Sequence, residues 1–112
     1  MLGLKLNNGF KTIPQNKAKE RLSSGDAVYL IDVRSPEEYN KTHIKDSISL
    51  PLDQIKSGVA KIVENKDAEL LIYCHSGMRA ATACQLLTQM GYTNVSNMGG
   101  IQTWKYKTEK GS

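Results

Sequence analysis

Apolar residues in this chain fall into short consecutive runs separated by stretches with helical spacing, and the two kinds of segment alternate along its length. Ala27-Val28-Tyr29-Leu30-Ile31 and Leu70-Leu71-Ile72-Tyr73 are apolar at successive positions, as in strands covered on both faces of a parallel sheet. Thr12-Ile13, Ile48-Ser49-Leu50 and Val95 to Met98 read as shorter strands. Between them, Ala18 and Leu22 share one face of a helix with Pro14 at its first position, ended by Ser23-Ser24-Gly25-Asp26. Ser35 is an N-cap with Pro36 at the first helical position and Glu38 completing a capping box, which predicts a helix to about Thr42. After Pro51, the apolar residues Leu52, Ile55, Val59, Ile62 and Val63 predict another helix, weakened by Gly58. Arg79 to Met90 is the next, closed by Gly91, and a last helix after Gly99-Gly100 holds Ile101 and Trp104.

Such alternation predicts an α/β domain with a central, mostly parallel β-sheet flanked by helices on both faces. Ligands in such folds bind beyond the carboxyl ends of the strands. Asp32, Arg34 and Cys74 all fall at those ends.

With 112 residues, 39% of them hydrophobic and 23% charged, the chain suits one domain over residues 1–112 with its core from Thr12 to Trp104. A short N-terminal extension and a basic C-terminal tail flank that core. Met1 to Gly9 is too broken by Gly, Lys and Asn for a signal peptide, and no apolar run is long enough to span a bilayer. A soluble, cytoplasmic protein with no membrane partner is expected. Cys74 and Cys84 are too few for a disulfide framework and have no metal-ligand spacing with His43 or His75, so neither metal nor cofactor is expected. The net charge of +4 comes from Lys and Arg interspersed with acidic residues, except in Lys105 to Lys110, which reads as a solvated tail. No aromatic-rich strand or recognition helix accompanies it, which argues against nucleic acid. The mild positive excess would draw small anions toward a cleft.

The chemistry concentrates in Leu70-Leu71-Ile72-Tyr73-Cys74-His75-Ser76-Gly77-Met78-Arg79-Ala80. An apolar strand stops at a cysteine, passes a glycine-containing loop and enters a helix. The first N–H groups of a helix have no intrahelical partner and its dipole adds positive charge, so a thiolate and an anion both suit this place. Cys84, mid-helix beside Ala80, Ala81, Ala83 and Leu87, reads as a packing residue. His43 reads as a hydrogen-bonded packing residue at a turn, and Ile101 with Trp104 as an anchor of the last helix. Gly99-Gly100 answers a backbone need, because the glycine pattern of a dinucleotide site is absent around it.

Four fragments together resemble a single-domain rhodanese, a sulfurtransferase domain. They are Leu30 to Tyr39, His43 to Leu52, the Cys74 to Arg79 loop, and Gly99-Gly100-Ile101-Gln102-Thr103-Trp104, in the family's order. The family usually has glycine-alanine where Asp46-Ser47 stands. The resemblance implies that Cys74 takes a sulfane sulfur from thiosulfate or a similar donor as a persulfide and passes it to a thiol, cyanide or a sulfur-accepting protein. It assigns donor binding to the loop N–H groups and to Arg79, whose guanidinium would face the pocket in the Cys-x-x-Gly-x-Arg pattern. Gly77 then supplies the tight curl, while His75, Ser76 and Met78 set pocket shape and donor choice. Asp32 and Arg34 become supporting residues, Asp32 by accepting loop N–H bonds or pairing with a cation.

Phosphatases and arsenate reductases of related fold place five residues between cysteine and arginine, room for a tetrahedral oxyanion. Here His75, Ser76, Gly77 and Met78 make the loop one residue shorter, which favours a single sulfur atom. A binding module without catalysis would have no need of Cys74. A persulfide carrier serving a partner protein would use the same residues as a free-standing thiosulfate enzyme.

Overall fold

The computed structural model describes residues 9–111. The first half runs β1 (Lys11–Thr12), α1 (Gln15–Leu22), β2 (Val28–Asp32), α2 (Pro36–Lys41), β3 (His43–Ile44) and β4 (Ile48–Ser49). The second half runs α3 (Ile55–Ile62), β5 (Glu69–Cys74), α4 (Met78–Gln89), β6 (Val95–Gly100) and β7 (Thr108–Glu109). Five strands form one parallel sheet in the order β1-β6-β5-β2-β4, and β3 pairs antiparallel with β7 beside it. The expected α/β architecture is what the chain adopts.

Alternation along the strands separates two cores. Ile31, Leu70, Ile72 and Cys74 face Ile55 and Val59 of α3 and Ala83, Cys84 and Leu87 of α4. Leu30, Leu71, Tyr73 and Met98 face Ala18 of α1, with Ile44, Ile101 and Trp104 closing the second layer. Because side chains alternate across a strand, Cys74 and Tyr73 project to opposite faces, and Asp32 shares the face of Leu30. Burial on both faces explains why β2 and β5 lack polar alternation.

Several elements depart from their sequence reading. Pro14 caps α1 from outside the helix with extended backbone. Leu52–Gln54 is a 3-10 turn leading into a shorter α3. The expected last helix is also a 3-10 turn, Ile101–Thr103, with Trp104 already extended. The basic C-terminal stretch is exposed yet not a free tail: β7 pairs with β3, the Lys45 N–H donates to the Lys107 carbonyl at 3.2 Å, and the Gly111 N–H donates to the Asn40 carbonyl at 2.8 Å. β3 and β7, two residues each, carry too little hydrophobic pattern to be seen in the sequence.

The departure at Asp46-Ser47 also has a physical account. Asp46 stands at φ 68°, the left-handed region where glycine is most at ease and aspartate is tolerated. Ser47 is buried, its hydroxyl 3.0 Å from the Tyr73 hydroxyl and its carbonyl accepting from Tyr39 at 2.6 Å. Its added polar atom therefore has a partner.

Candidate active site

Cys74 closes β5, where a register irregularity opposite β6 pairs it with Gly100. Its residue is 1% exposed. The chain then turns through His75 and Ser76 to Gly77, whose φ of 109° lets it cap the twelve-residue α4 from the left-handed region. That turn aims two backbone donors at the thiol: the Gly77 N–H at 3.0 Å and the Ala80 N–H at 3.3 Å. A negative sulfur here receives hydrogen bonds that folding has already oriented.

Neighbouring strand β6 holds the loop in shape. A Cβ on Gly77 would lie 3.3 Å from the Gly99 Cα, and a Cβ on Gly100 would run into the His75 carbonyl. Asn97 donates from Nδ2 to the Gly77 carbonyl at 3.1 Å and accepts from the Gly99 N–H at 2.8 Å. Gln15 donates to the carbonyls of Met98 and Gly100, and the Gln102 N–H donates to His75 at 3.2 Å. Gly99-Gly100 thus serves close backbone packing, as its sequence context suggested. Asn97 and Gln15 escaped the sequence reading because their roles rest on pairing between segments far apart in the chain.

Arg79 has a partner that the sequence reading did not supply. Its guanidinium is engaged by Glu38, Nη1 to Oε1 at 2.7 Å and Nη2 to Oε2 at 3.0 Å, with both side chains about a third exposed at 39% and 35%. Glu38 also accepts from the Ser35 N–H at 3.1 Å while the Ser35 hydroxyl accepts from the Glu38 N–H at 3.2 Å, the predicted capping box. One carboxylate therefore caps α2 and bridges to the start of α4. Hydrogen bonding from Arg79 holds its pKa down at about 2 against the opposing effect of burial, and the same pair raises that of Arg79.

Asp32 and Arg34 form a second arginine–carboxylate pair, this one buried. Arg34 donates to both Asp32 oxygens, with Nη2 to Oδ2 at 2.8 Å, and from Nη2 to the Thr42 carbonyl at 2.7 Å. Asp32 also accepts the Arg34 N–H at 2.9 Å. Of its two expected partners, a cation and the cysteine loop's N–H groups, the cation is the one it holds. Burial opposes the charge on Arg34, but Asp32 outweighs it and the pKa is raised.

A cavity of about 500 Å³ lies beside the loop, lined by Arg34, Glu38, Lys41, His75 and Gln102 among others. His75 thus reaches the cavity. Met78 is 80% exposed and stands clear of it, and Ser76 is exposed at the loop crown. Cys84 lies within the α4 core, where burial pushes its thiol up to about 12. That is an inert setting. His43 is buried against Tyr39, rings stacked at 3.8 Å, with Nδ1 2.9 Å from the Tyr39 carbonyl. Among the described residues no trio of His, Cys, Asp or Glu could hold a metal, and no helix is long and apolar enough to cross a membrane.

Known proteins share both sequence and shape with this chain. Thiosulfate sulfurtransferase PspE of Escherichia coli strain K12 is 38% identical over 76 residues, which span 68% of this chain and 73% of that protein. A sulfurtransferase of Allochromatium vinosum is 38% identical over 93 residues, 82% of this chain and 85% of the other. A solved structure described as a rhodanese with anions from E. coli superposes with a TM-score of 0.72 at 36% identity, covering 76% of this chain and all of that one. The family model of the rhodanese-like domain matches residues 14–107. Since that span takes in the cysteine loop, both arginine–carboxylate pairs and four of the five sheet strands, the chain belongs to the rhodanese-like domain family.

Proposed function

We propose that this protein is a sulfurtransferase that moves a sulfane sulfur through a Cys74 persulfide, with thiosulfate or a similar anion as donor. The observation that carries this reading is the pair of N–H donors, from Gly77 and Ala80, converging on the Cys74 sulfur at the start of α4. The Cys74 thiolate attacks the outer sulfur of thiosulfate. A new S–S bond forms as the bond to sulfite breaks, and sulfite leaves with its electron pair. An acceptor thiolate or cyanide then attacks the outer persulfide sulfur, and the Cys74 thiolate is regenerated. Charge is conserved in both steps, and the loop amides stabilise sulfur anions throughout.

Arg79 is assigned to the donor's oxygens, competing with Glu38 for the same guanidinium. His75 lines the entry and sets which donors pass, while Ser76 and Met78 shape the rim. Met78 at 80% exposure also suits delivery to a protein acceptor, because an apolar side chain at the loop crown can pack against a partner. Both cysteines are free, which fits a reducing compartment such as the cytoplasm.

Mass spectrometry after incubation with thiosulfate tests the assignment. One added sulfur atom should map to the Cys74 peptide and be stripped by cyanide or a dithiol. Cys74→Ser should fold and lose all transfer, while Cys84→Ser keeps most of it. Adduct on Cys84, or substantial activity in the Cys74 variant, would overturn the mechanism. A panel of small thiols and proteins as acceptors would separate a free-standing enzyme from a carrier.

A further inference from the structure

A cavity of about 590 Å³ lies away from the cysteine loop. It opens where α1, the β3–β4 turn and the segment 104–107 meet. Its apolar wall is made by Leu22, Ile44, Trp104 and Tyr106. Trp104 and Tyr106 meet edge to face at 4.8 Å, and Tyr106 remains 40% exposed. Around this wall stand Lys19, Lys45, Lys105 and Lys107, against a single acid, Asp46, which is tied to Lys45 at 3.0 Å. Among the described residues Lys105 and Lys107 have no ion-pair partner, and the Lys19 ammonium lies 5.7 Å over the Tyr106 ring.

Backbone pairing keeps this wall in place. The Lys107 carbonyl accepts from the Lys45 N–H at 3.2 Å and from the Trp104 indole at 3.4 Å, joining the basic segment to β3 and to its own aromatic ring. Exposed aromatic surface is unfavourable in water, and several lysines converging on one cavity repel each other. One kind of ligand relieves both: an aromatic ring that packs into the angle between Trp104 and Tyr106 while its negative groups meet the ammonium groups. The volume suits a small molecule.

We propose that this cavity binds a small aromatic anion, a ring carrying carboxylate, sulfonate or phosphate groups, at a site separate from Cys74. The turn Ile101–Thr103 joins the cavity wall at Trp104 to the cysteine loop, because the Gln102 N–H bonds the His75 carbonyl.

Trp104 is the sole tryptophan, so its indole N–H gives one identifiable signal in a nitrogen–proton correlation NMR spectrum. Titrating naphthalene disulfonate into the full chain should move that signal saturably, whereas sulfate alone and neutral naphthol should move it little. Lys105→Glu with Lys107→Glu should weaken binding at least about tenfold. Lys56→Glu with Lys61→Glu, the same charge change on exposed positions of α3, should leave it within about twofold. Tyr106→Ala should weaken it several-fold without reversing any charge. No saturable movement up to millimolar ligand, equal movement with sulfate, or equal weakening by the two lysine pairs would overturn the proposal.

Discussion

Two arginine–carboxylate pairs lie beside the candidate site with the same forked chemistry and opposite surroundings. Arg34 and Asp32 are 4% and 0% exposed, whereas Arg79 and Glu38 are 39% and 35% exposed. In the first, partners two residues apart at the end of β2 close on each other, and Nη2 of the arginine also donates to the Thr42 carbonyl. In the second, partners from α2 and α4 meet where both are partly exposed and water can replace either of them. Removing one member of a buried pair leaves a stranded charge, while a half-exposed pair contributes roughly 0–1 kcal/mol. The difference fits the inner pair to holding the scaffold and, on the proposed mechanism, the outer arginine to exchanging its carboxylate for a substrate's oxygens.

The largest effect expected from breaking this contrast is on stability. Asp32→Asn keeps the shape of the side chain but leaves Arg34 charged and buried, which should cost about 3–5 kcal/mol in urea unfolding. A loss below about 1 kcal/mol would mean that the inner pair is as replaceable as the outer one, and the comparison would fail.

Arg79→Ala should do the reverse. Unfolding free energy should change by no more than about 1 kcal/mol, while kcat/KM for thiosulfate falls by about 1.5–3 kcal/mol, the value of a charge-assisted hydrogen bond. Arg79→Lys should recover part of this, because an ammonium cannot reproduce the planar fork. Equal losses of stability and activity would place Arg79 with the scaffold.

A smaller change is expected from Glu38→Gln. Glutamine retains the capping-box acceptor for the Ser35 N–H, so α2 should persist, but it no longer binds Arg79 as an anion. The KM for thiosulfate should fall by up to about fivefold, the equivalent of the ~1 kcal/mol that a half-exposed pair is worth. A rise in KM would show that Glu38 orients Arg79 for the donor instead of competing with it.

How far the sequence discloses this arrangement depends on the range of the interaction. Runs such as Leu70 to Tyr73 and the Ser35-Pro36-Glu37-Glu38 cap are local, and both formed where their patterns placed them. Cys74, its loop and the helix start are also contiguous, so the convergence of N–H groups on the thiol could be anticipated. Glu38 could not be read beyond its cap, because no spacing shows that a side chain closing one helix has an oxygen left for an arginine 41 residues away. Likewise, Asn97 reaches the Gly77 carbonyl, and Gln15 the Met98 and Gly100 carbonyls, only because parallel pairing sets β6 between β1 and β5. The β3–β7 pair was illegible for a different reason: its two-residue strands are polar and exposed on one partner, so the basic segment looked like solvated chain.

The finest test uses protons to probe the outer pair without replacing Glu38. A carboxylate whose folded pKa is about 2 against an ordinary 4.5 contributes stability that is fully present above 4.5 and is lost as pH falls through about 2. The Glu38 carboxyl carbon, followed by NMR, should therefore titrate well below ordinary glutamates in the wild-type chain. In Arg79→Ala its midpoint should rise toward the ordinary range, because burial then opposes what the Ser35 hydrogen bonds still give the anion. Thiosulfate should have a similar, weaker effect in the wild-type chain. If the donor draws Arg79 away, Glu38 loses part of its cation and its midpoint climbs with donor concentration, most clearly in Cys74→Ser, where the sulfur cannot be transferred. An unchanged midpoint at saturating donor would show that Arg79 holds Glu38 and substrate together, and the outer pair would then be a fixed part of the site.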